Sequence, residues 1–159
     1  MHTFELHRGT QPLLVSLPHN GSEIPGDILA LLKPFARSAP DTDWSVDRLY
    51  GFAEDLGASI LKPRYSRYVI DLNRPPDDVS LYPGQNSTGL CPLTAFTGEP
   101  IYQDGKQPDQ NAIVHRRAQY WQPYHSALHA ELLRLKQQHG RVLLWEGHSI
   151  QPELPFLFE

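Results

Sequence analysis

Three short apolar runs constrain the fold of this chain more than any other feature: Leu13 to Leu17 (LLVSL), Tyr68 to Leu72 (YVIDL) and Arg141 to Trp145 (RVLLW). Each is too short to make a useful helix, and nearby Pro or Gly residues bound them, so they read as buried strands. Ala58 to Leu61 is a further, weaker strand candidate. Helical patterns separate these runs, which predicts an α/β layered domain. The polar residues at the end of each run matter as much as the run itself. His19 comes after the first, Asn73 and Arg74 after YVIDL, and His148 after the last. If the strands are parallel, their carboxyl ends share one edge of the sheet, where open α/β sheets place ligands.

The helical patterns are uneven. Pro25 can open a short helix through Leu32, and Asp41 or Thr42 can cap a second one. In that second helix Val46, Leu49, Tyr50, Ala53 and Leu56 share a face, and Gly57 stops it. A long helix is predicted from about Gln110 to His139, with Leu128, Leu132 and Leu135 as its core stripe, a kink at Pro123 and Gly140 as terminator. Between Pro75 and Asp109, Pro, Gly, Asp, Asn and Thr dominate, which predicts a long loop or lid.

With 159 residues, 40% of them hydrophobic and 20% charged, the chain can build one core, so residues 1–159 are read as a single α/β domain. Fourteen basic against 18 acidic side chains, with no basic run, argue against nucleic acid as a partner. No apolar run approaches the roughly 20 residues that span a bilayer, and the first residues do not resemble a signal peptide. The expectation is a cytoplasmic protein, monomeric or weakly self-associating, acting on a small molecule. A single Cys excludes a thiolate cluster, so a bound metal would be held by His and carboxylates, and there are eight His.

His19 lies in Leu17-Pro18-His19-Asn20-Gly21, where Pro18 ends the strand and Gly21 is expected to let the chain turn sharply. One His at a turn is most simply a hydrogen-bonded loop residue. Two, at the ends of two different strands, suggest a metal site of neutral imidazoles. The third ligand has several carboxylate candidates: Glu23, Asp43 and Asp47. Asp43 can equally cap a helix, and Asp47 can equally form a surface ion pair. Glu146, two residues before His148, would lie on the same side of an extended strand and could orient the imidazole. Arg74 follows an apolar run, where a guanidinium needs an anionic partner: Asp71, Asp77, or a substrate carboxylate held by the planar fork. Trp121, Tyr124 and His125 read as packing or capping groups, Arg116 and Arg117 as partners of solvent or nearby carboxylates, and Cys91 as inert.

Five strings taken together resemble the N-formylglutamate amidohydrolase family: Leu17-Pro18-His19-Asn20-Gly21; Asp41 through Tyr50 (DTDWSVDRLY); Arg67 through Pro76 (RYVIDLNRPP); Tyr120 through His125 (YWQPYH); and Trp145 through Ile150 (WEGHSI). The resemblance implies a three-layer α/β/α sandwich with a mixed, mainly parallel sheet, similar to zinc carboxypeptidase-like hydrolases. It also implies zinc-dependent cleavage of N-formyl-L-glutamate to formate and L-glutamate in histidine degradation. By the same resemblance His19 and His148 are metal ligands together with a carboxylate, Asp47 being favoured, Glu23 second and Asp43 still open. Asn73 and Arg74 would hold a substrate carboxylate, and Arg67 would contact a second anion or polarise the scissile carbonyl. Glu146 would support His148 or take part in proton transfer. Two departures from the family pattern are Glu146, where Asp is common, and Ser45, where His is common.

Relatives that continue past the WEGHSI region carry a late glutamate resembling a general base. The apolar stretch Leu154 to Phe158 is therefore expected to mark a cut through a larger catalytic domain, of which residues 1–159 are an incomplete N-terminal portion.

Overall fold

The computed structural model describes residues 2–79 and 88–150. The apolar stretch 154–158, and residues 80–87 of the expected loop, lie outside the described residues. Four strands form one mixed sheet: β1 (Phe4–His7), β2 (Leu13–Ser16), β3 (Ser59–Pro63) and β4 (Leu143–Glu146), in the order β1-β3-β2-β4. β2 is parallel to both β3 and β4, pairing Val15 with Ile60 and with Trp145, whereas β1 runs antiparallel along β3. β1 escaped the sequence reading because FELHRGT carries only two apolar residues and sits at a sheet edge.

Side-chain alternation assigns the two faces of the sheet. Leu14 and Leu61 face the long helix α5 (Gln122–His139) and pack with Tyr124, Leu128, Leu132 and Leu135. The hydroxyls of Ser16 and Tyr124 are 2.9 Å apart on the same side. Leu13, Val15, Leu17 and Ile60 face the other way, against Val46, Tyr50 and Ala53 of the segment carrying α2 (Val46–Leu49) and α3 (Phe52–Asp55). Helices on both faces make the three-layer α/β/α arrangement. β4 is an edge strand exposing Leu143 and Trp145, which with Tyr50, Phe52, Leu13, Val15 and Ala53 line an apolar cavity of about 250 Å³. No helix among the described residues is long and apolar enough to cross a membrane.

Four expectations are corrected. Tyr68 to Leu72 is not a strand: the segment turns, with Val69 N–H donating to Ser66 and Arg74 N–H to Asp71, while its apolar side chains are buried. A short apolar run signals burial as readily as it signals a strand. The helix expected up to Leu56 is broken into α2 and α3 at Tyr50 and Gly51, and the one expected from Pro25 is the single turn α1 (Gly26–Leu29). The kink at Pro123 is replaced by a wider π-helical turn, Arg117–Trp121, between α4 (Gln110–Arg116) and α5. Proline has no N–H to donate and its ring crowds the preceding turn, so a wider turn accommodates it.

The segment between Pro75 and Asp109 is pinned where it is described. Asp71 N–H donates to Leu90 O, and Leu32 bridges to Tyr102. Leu90, Ala95, Ile101 and Tyr102 are buried. Cys91 is buried there too, and burial pushes its thiol up to about 11, which keeps it protonated and unreactive at neutral pH. At the other end of the sheet from His19, Glu131 is buried and accepts from Ser59 Oγ (2.6 Å) and from Arg134, tying α5 to β3 and to the loop at Gly9.

Candidate functional site

β2 and β4 end side by side, and main-chain pairing continues past them as Gly147 N–H donates to Ser16 O. Gly147 has no room for a side chain, since a Cβ would meet Leu17 and Tyr50 at 2.6 Å. This close packing delivers His148 next to His19, with their ring centroids 5.0 Å apart. Gly21, expected to provide a sharp turn, serves instead for close approach: a Cβ there would lie 2.3 Å from Tyr65 O.

The carboxylate that joins the two imidazoles is Asp43. One ligand atom each from His19, Asp43 and His148 lie within 4.8 Å of one another, a group that could hold a metal ion. Asp43 Oδ2 is 3.3 Å from His148 Nδ1 and 3.9 Å from His19 Nδ1, and it also accepts from Ser149 N–H. Asp43 N–H donates to His19 O, which locks the two segments together. Asp43 precedes α2 rather than lying on it, and Ser45 between them adopts a left-handed φ of 64°. Asp43 and Asp47 therefore do not share a helical face. Asp47 stays outside the group, accepting from Asn20 Nδ2 at 3.4 Å, and Glu23 pairs with Arg64 at 2.8 Å.

His19 is buried and held by Asp71, whose Oδ1 accepts from His19 Nε2 at 2.7 Å. Burial lowers the imidazole below its ordinary 6.5, with the Asp71 hydrogen bond opposing. With its proton on Nε2, the ring presents the Nδ1 lone pair to the side where Asp43 lies. Burial would raise the Asp71 carboxyl, but the Arg67 guanidinium and the His19 hydrogen bond outweigh it and hold it well below the usual carboxylate range. Arg67 Nη2 donates to Asp71 Oδ2 at 2.6 Å, its Nη1 lies 3.4 Å from His19 Nδ1, and its guanidinium stands 4.6 Å over the Phe96 ring. Asp71 also accepts from Asn73 N–H, setting the turn that carries Asn73 and Arg74.

Asn73 Nδ2 is 3.4 Å from His148 Nε2, so the expected substrate pair adjoins the metal group. Arg74 is not paired with Asp71, which Arg67 occupies. Its Nη2 donates to Thr88 Oγ1 at 3.4 Å, and its buried Nε has no partner among the described residues. Glu146 does not orient His148: it pairs in register with Ser16 on the α5 face, and among the described residues the partners of the His148 ring are Asp43 and Asn73. Arg116 is likewise not at the surface, but buried and donating to Val69 O and Tyr102 OH. Sequence reasoning passed over Asp71 as a partner of His19. Its charge within a run of buried apolar residues was the available signal, because such a carboxylate must find donors.

Residues 11–159 match the family model described as N-formylglutamate amidohydrolase. N-formylglutamate deformylase of Pseudomonas putida is 48% identical over 153 residues, covering 96% of this chain and 57% of the relative. That of Pseudomonas aeruginosa is 48% identical over 152 residues, with the same coverage of 96% and 57%. The chain thus spans little more than half the length of these curated relatives. N-formylglutamate amidohydrolase from Ralstonia eutropha JMP134 superposes with a TM-score of 0.80 at 24% identity, over 94% of this chain and 59% of that one. A structure from Agrobacterium tumefaciens superposes with a TM-score of 0.70 at 23% identity, over 99% and 60%. At such identities the two structures speak for the fold, whereas the match along nearly the whole sequence decides the family: the chain belongs to the N-formylglutamate amidohydrolase family.

Proposed function

We propose that this chain carries the metal- and substrate-binding part of a zinc-dependent hydrolase that converts N-formyl-L-glutamate to formate and L-glutamate, a cytoplasmic step of histidine degradation. The observation that carries the reading is the meeting of His19, Asp43 and His148 at one sheet edge, with Asn73 against the same His148 ring. Two imidazoles and a carboxylate suit Zn²⁺, which when bound lowers the pKa of a coordinated water and polarises the scissile carbonyl.

The chain's own residues do the rest. Asp71 holds His19 in the tautomer that leaves Nδ1 unprotonated. Arg74 offers a planar fork to a substrate carboxylate and Asn73 a neutral amide, which together hold the glutamate moiety so that its formyl end reaches the metal group. Arg67, already neutralised by Asp71, faces the same space from beside His19 and is assigned to the oxygen of the scissile amide. Glu146, on the opposite side of the sheet edge from Asp43, is assigned no proton-transfer step.

The test is formate release from N-formyl-L-glutamate by the purified protein with one equivalent of Zn²⁺. Zinc-dependent release, faster than from N-acetyl-L-glutamate, is expected. The share of the relatives that the chain covers, 57%, favours one second reading: a module that binds metal and an acidic amino acid without turnover. Binding without formate release would establish that module, preference for another acyl group would assign a related amidohydrolase, and loss of both binding and release would overturn the proposal.

A further inference from the structure

Arg117, Trp121 and His125 are spaced four residues apart along the long helical segment, and each donates a side-chain N–H to a main-chain carbonyl of one turn-forming stretch. Arg117 Nη1 reaches Pro76 O, Trp121 Nε1 reaches Arg74 O and His125 Nε2 reaches Leu72 O, each at 2.9 Å. The acceptors are alternate residues, 72, 74 and 76, so Asn73 lies between two held points and Arg74 is itself one.

The alignment has a physical cause. In a straight α-helix each step of four residues overshoots a full turn by about 40°, so residues eight apart drift by about 80°. The π turn at Arg117–Trp121, with roughly 4.4 residues per turn, undershoots by about 30° and cancels most of the overshoot of the next step. The three side chains are thereby brought into one row. The Trp121 and His125 rings stack with centroids 3.8 Å apart and planes 23° from parallel, so each also fixes the other's orientation.

We propose that Arg117, Trp121 and His125 are positioning residues for substrate binding: by holding the carbonyls of Leu72, Arg74 and Pro76 they set where the Asn73 amide and the Arg74 guanidinium point. Trp121 and His125, partly buried and mutually stacked, carry most of this role, while Arg117 at the exposed end carries less. The proposal rests on the assignment of Asn73 and Arg74 to the carboxylate of N-formylglutamate.

The experiment compares the zinc-loaded parent chain with His125→Phe, His125→Gln and Trp121→Phe. Three quantities are read: the Kd for N-formyl-L-glutamate by calorimetry, the zinc affinity by chelator competition, and hydrogen exchange at the amides of Asp71, Asn73 and Arg74, all hydrogen-bonded in the parent. His125→Phe and Trp121→Phe are expected to raise the Kd about tenfold and exchange by a similar factor, with zinc affinity within about twofold, since one neutral donor is lost at each. His125→Gln, which again presents an N–H near the Nε2 position, is expected to recover most of both effects. Exchange unchanged in the variants, His125→Gln as impaired as His125→Phe, or zinc affinity falling in parallel with ligand affinity would each overturn the positioning role. A parent that binds no N-formyl-L-glutamate while the exchange pattern holds would instead overturn the substrate assignment and leave the scaffold standing.

Discussion

His19 and Asp71 form a buried pair, 2.7 Å from Nε2 to Oδ1, on which the whole site depends. The same carboxylate neutralises Arg67 through Oδ2 and accepts the Asn73 amide, so a single side chain orients an imidazole, a guanidinium and the turn that carries Asn73 and Arg74. Asp71→Asn keeps an acceptor for His19 but leaves Arg67 without its counter-charge. On the proposed function, in which His19 ligates zinc, zinc affinity should fall about 10- to 100-fold. Chelator competition measures this, and an unchanged affinity would remove Asp71 from that role.

The choice between Asp43 and Asp47 can be made directly. Asp43→Ala should abolish stoichiometric zinc binding, whereas Asp47→Ala, which loses only a 3.4 Å contact from Asn20, should retain it. Metal analysis after dialysis decides, and the reverse pattern would restore Asp47 as the ligand.

Arg74→Lys replaces a planar fork by a point charge. On the proposed function the affinity for N-formyl-L-glutamate should drop by on the order of tenfold or more, with zinc binding unaffected. Calorimetry on the zinc-loaded protein checks both. Equal affinity in the variant would mean that Arg74 does not grip the substrate.

Glu131 offers a stability test remote from the site. Glu131→Ala leaves Ser59 Oγ without its acceptor in the interior and releases Arg134 from the Gly9 loop. Arg134 is partly exposed and can turn to water, so the expected loss is about 2 to 3 kcal/mol in denaturant unfolding. Zinc affinity should stay at the parent value. A change below about 0.5 kcal/mol would show that the network is dispensable.

Acid should weaken the metal-free protein in two stages. Burial lowers His19 and His125 below 6.5, with the Leu72 carbonyl and Glu146 partly opposing at His125. The unfolded chain takes up protons there that the native state refuses, so stability falls as pH drops through the window below 6.5 and is flat above it. Asp71 acts in the same direction for a different reason: burial is outweighed by Arg67 and the His19 hydrogen bond, which favour its charged form and depress its folded value, so its contribution is complete above the ordinary 3.8 and is lost as pH falls further. Denaturation midpoints from about pH 3 to pH 8 test this, with His125→Gln expected to reduce the upper stage to the share of His19. A midpoint that rises on acidification would contradict both assignments.

Much of this was legible before any coordinates. LLVSL and RVLLW each contain a strand because four apolar residues bounded by breakers are too few for a useful helix, although only the first is buried, and their parallel pairing puts His19 and His148 together. YVIDL misled for an instructive reason. Its apolar residues are buried, but Asp71 inside the run recruits His19, Arg67 and the Asn73 amide, and those bonds shape a turn instead of a ladder. Trp121 and His125 looked like packing groups because nothing local shows that a π turn will line them up with carbonyls some fifty residues earlier.

The sequence by itself determined the family, the α/β layering and that His19, Arg74 and His148 follow short apolar runs, since these rest on composition, short-range pattern and matching strings. Only the tertiary structure decided that Asp43 and not Asp47 completes the group, that Asp71 stands behind His19, and that Asn73 rather than Glu146 meets His148. Those choices turn on a left-handed Ser45, a side-chain-free Gly147 and a widened helical turn, local backbone conformations stabilised by contacts between segments far apart in the chain.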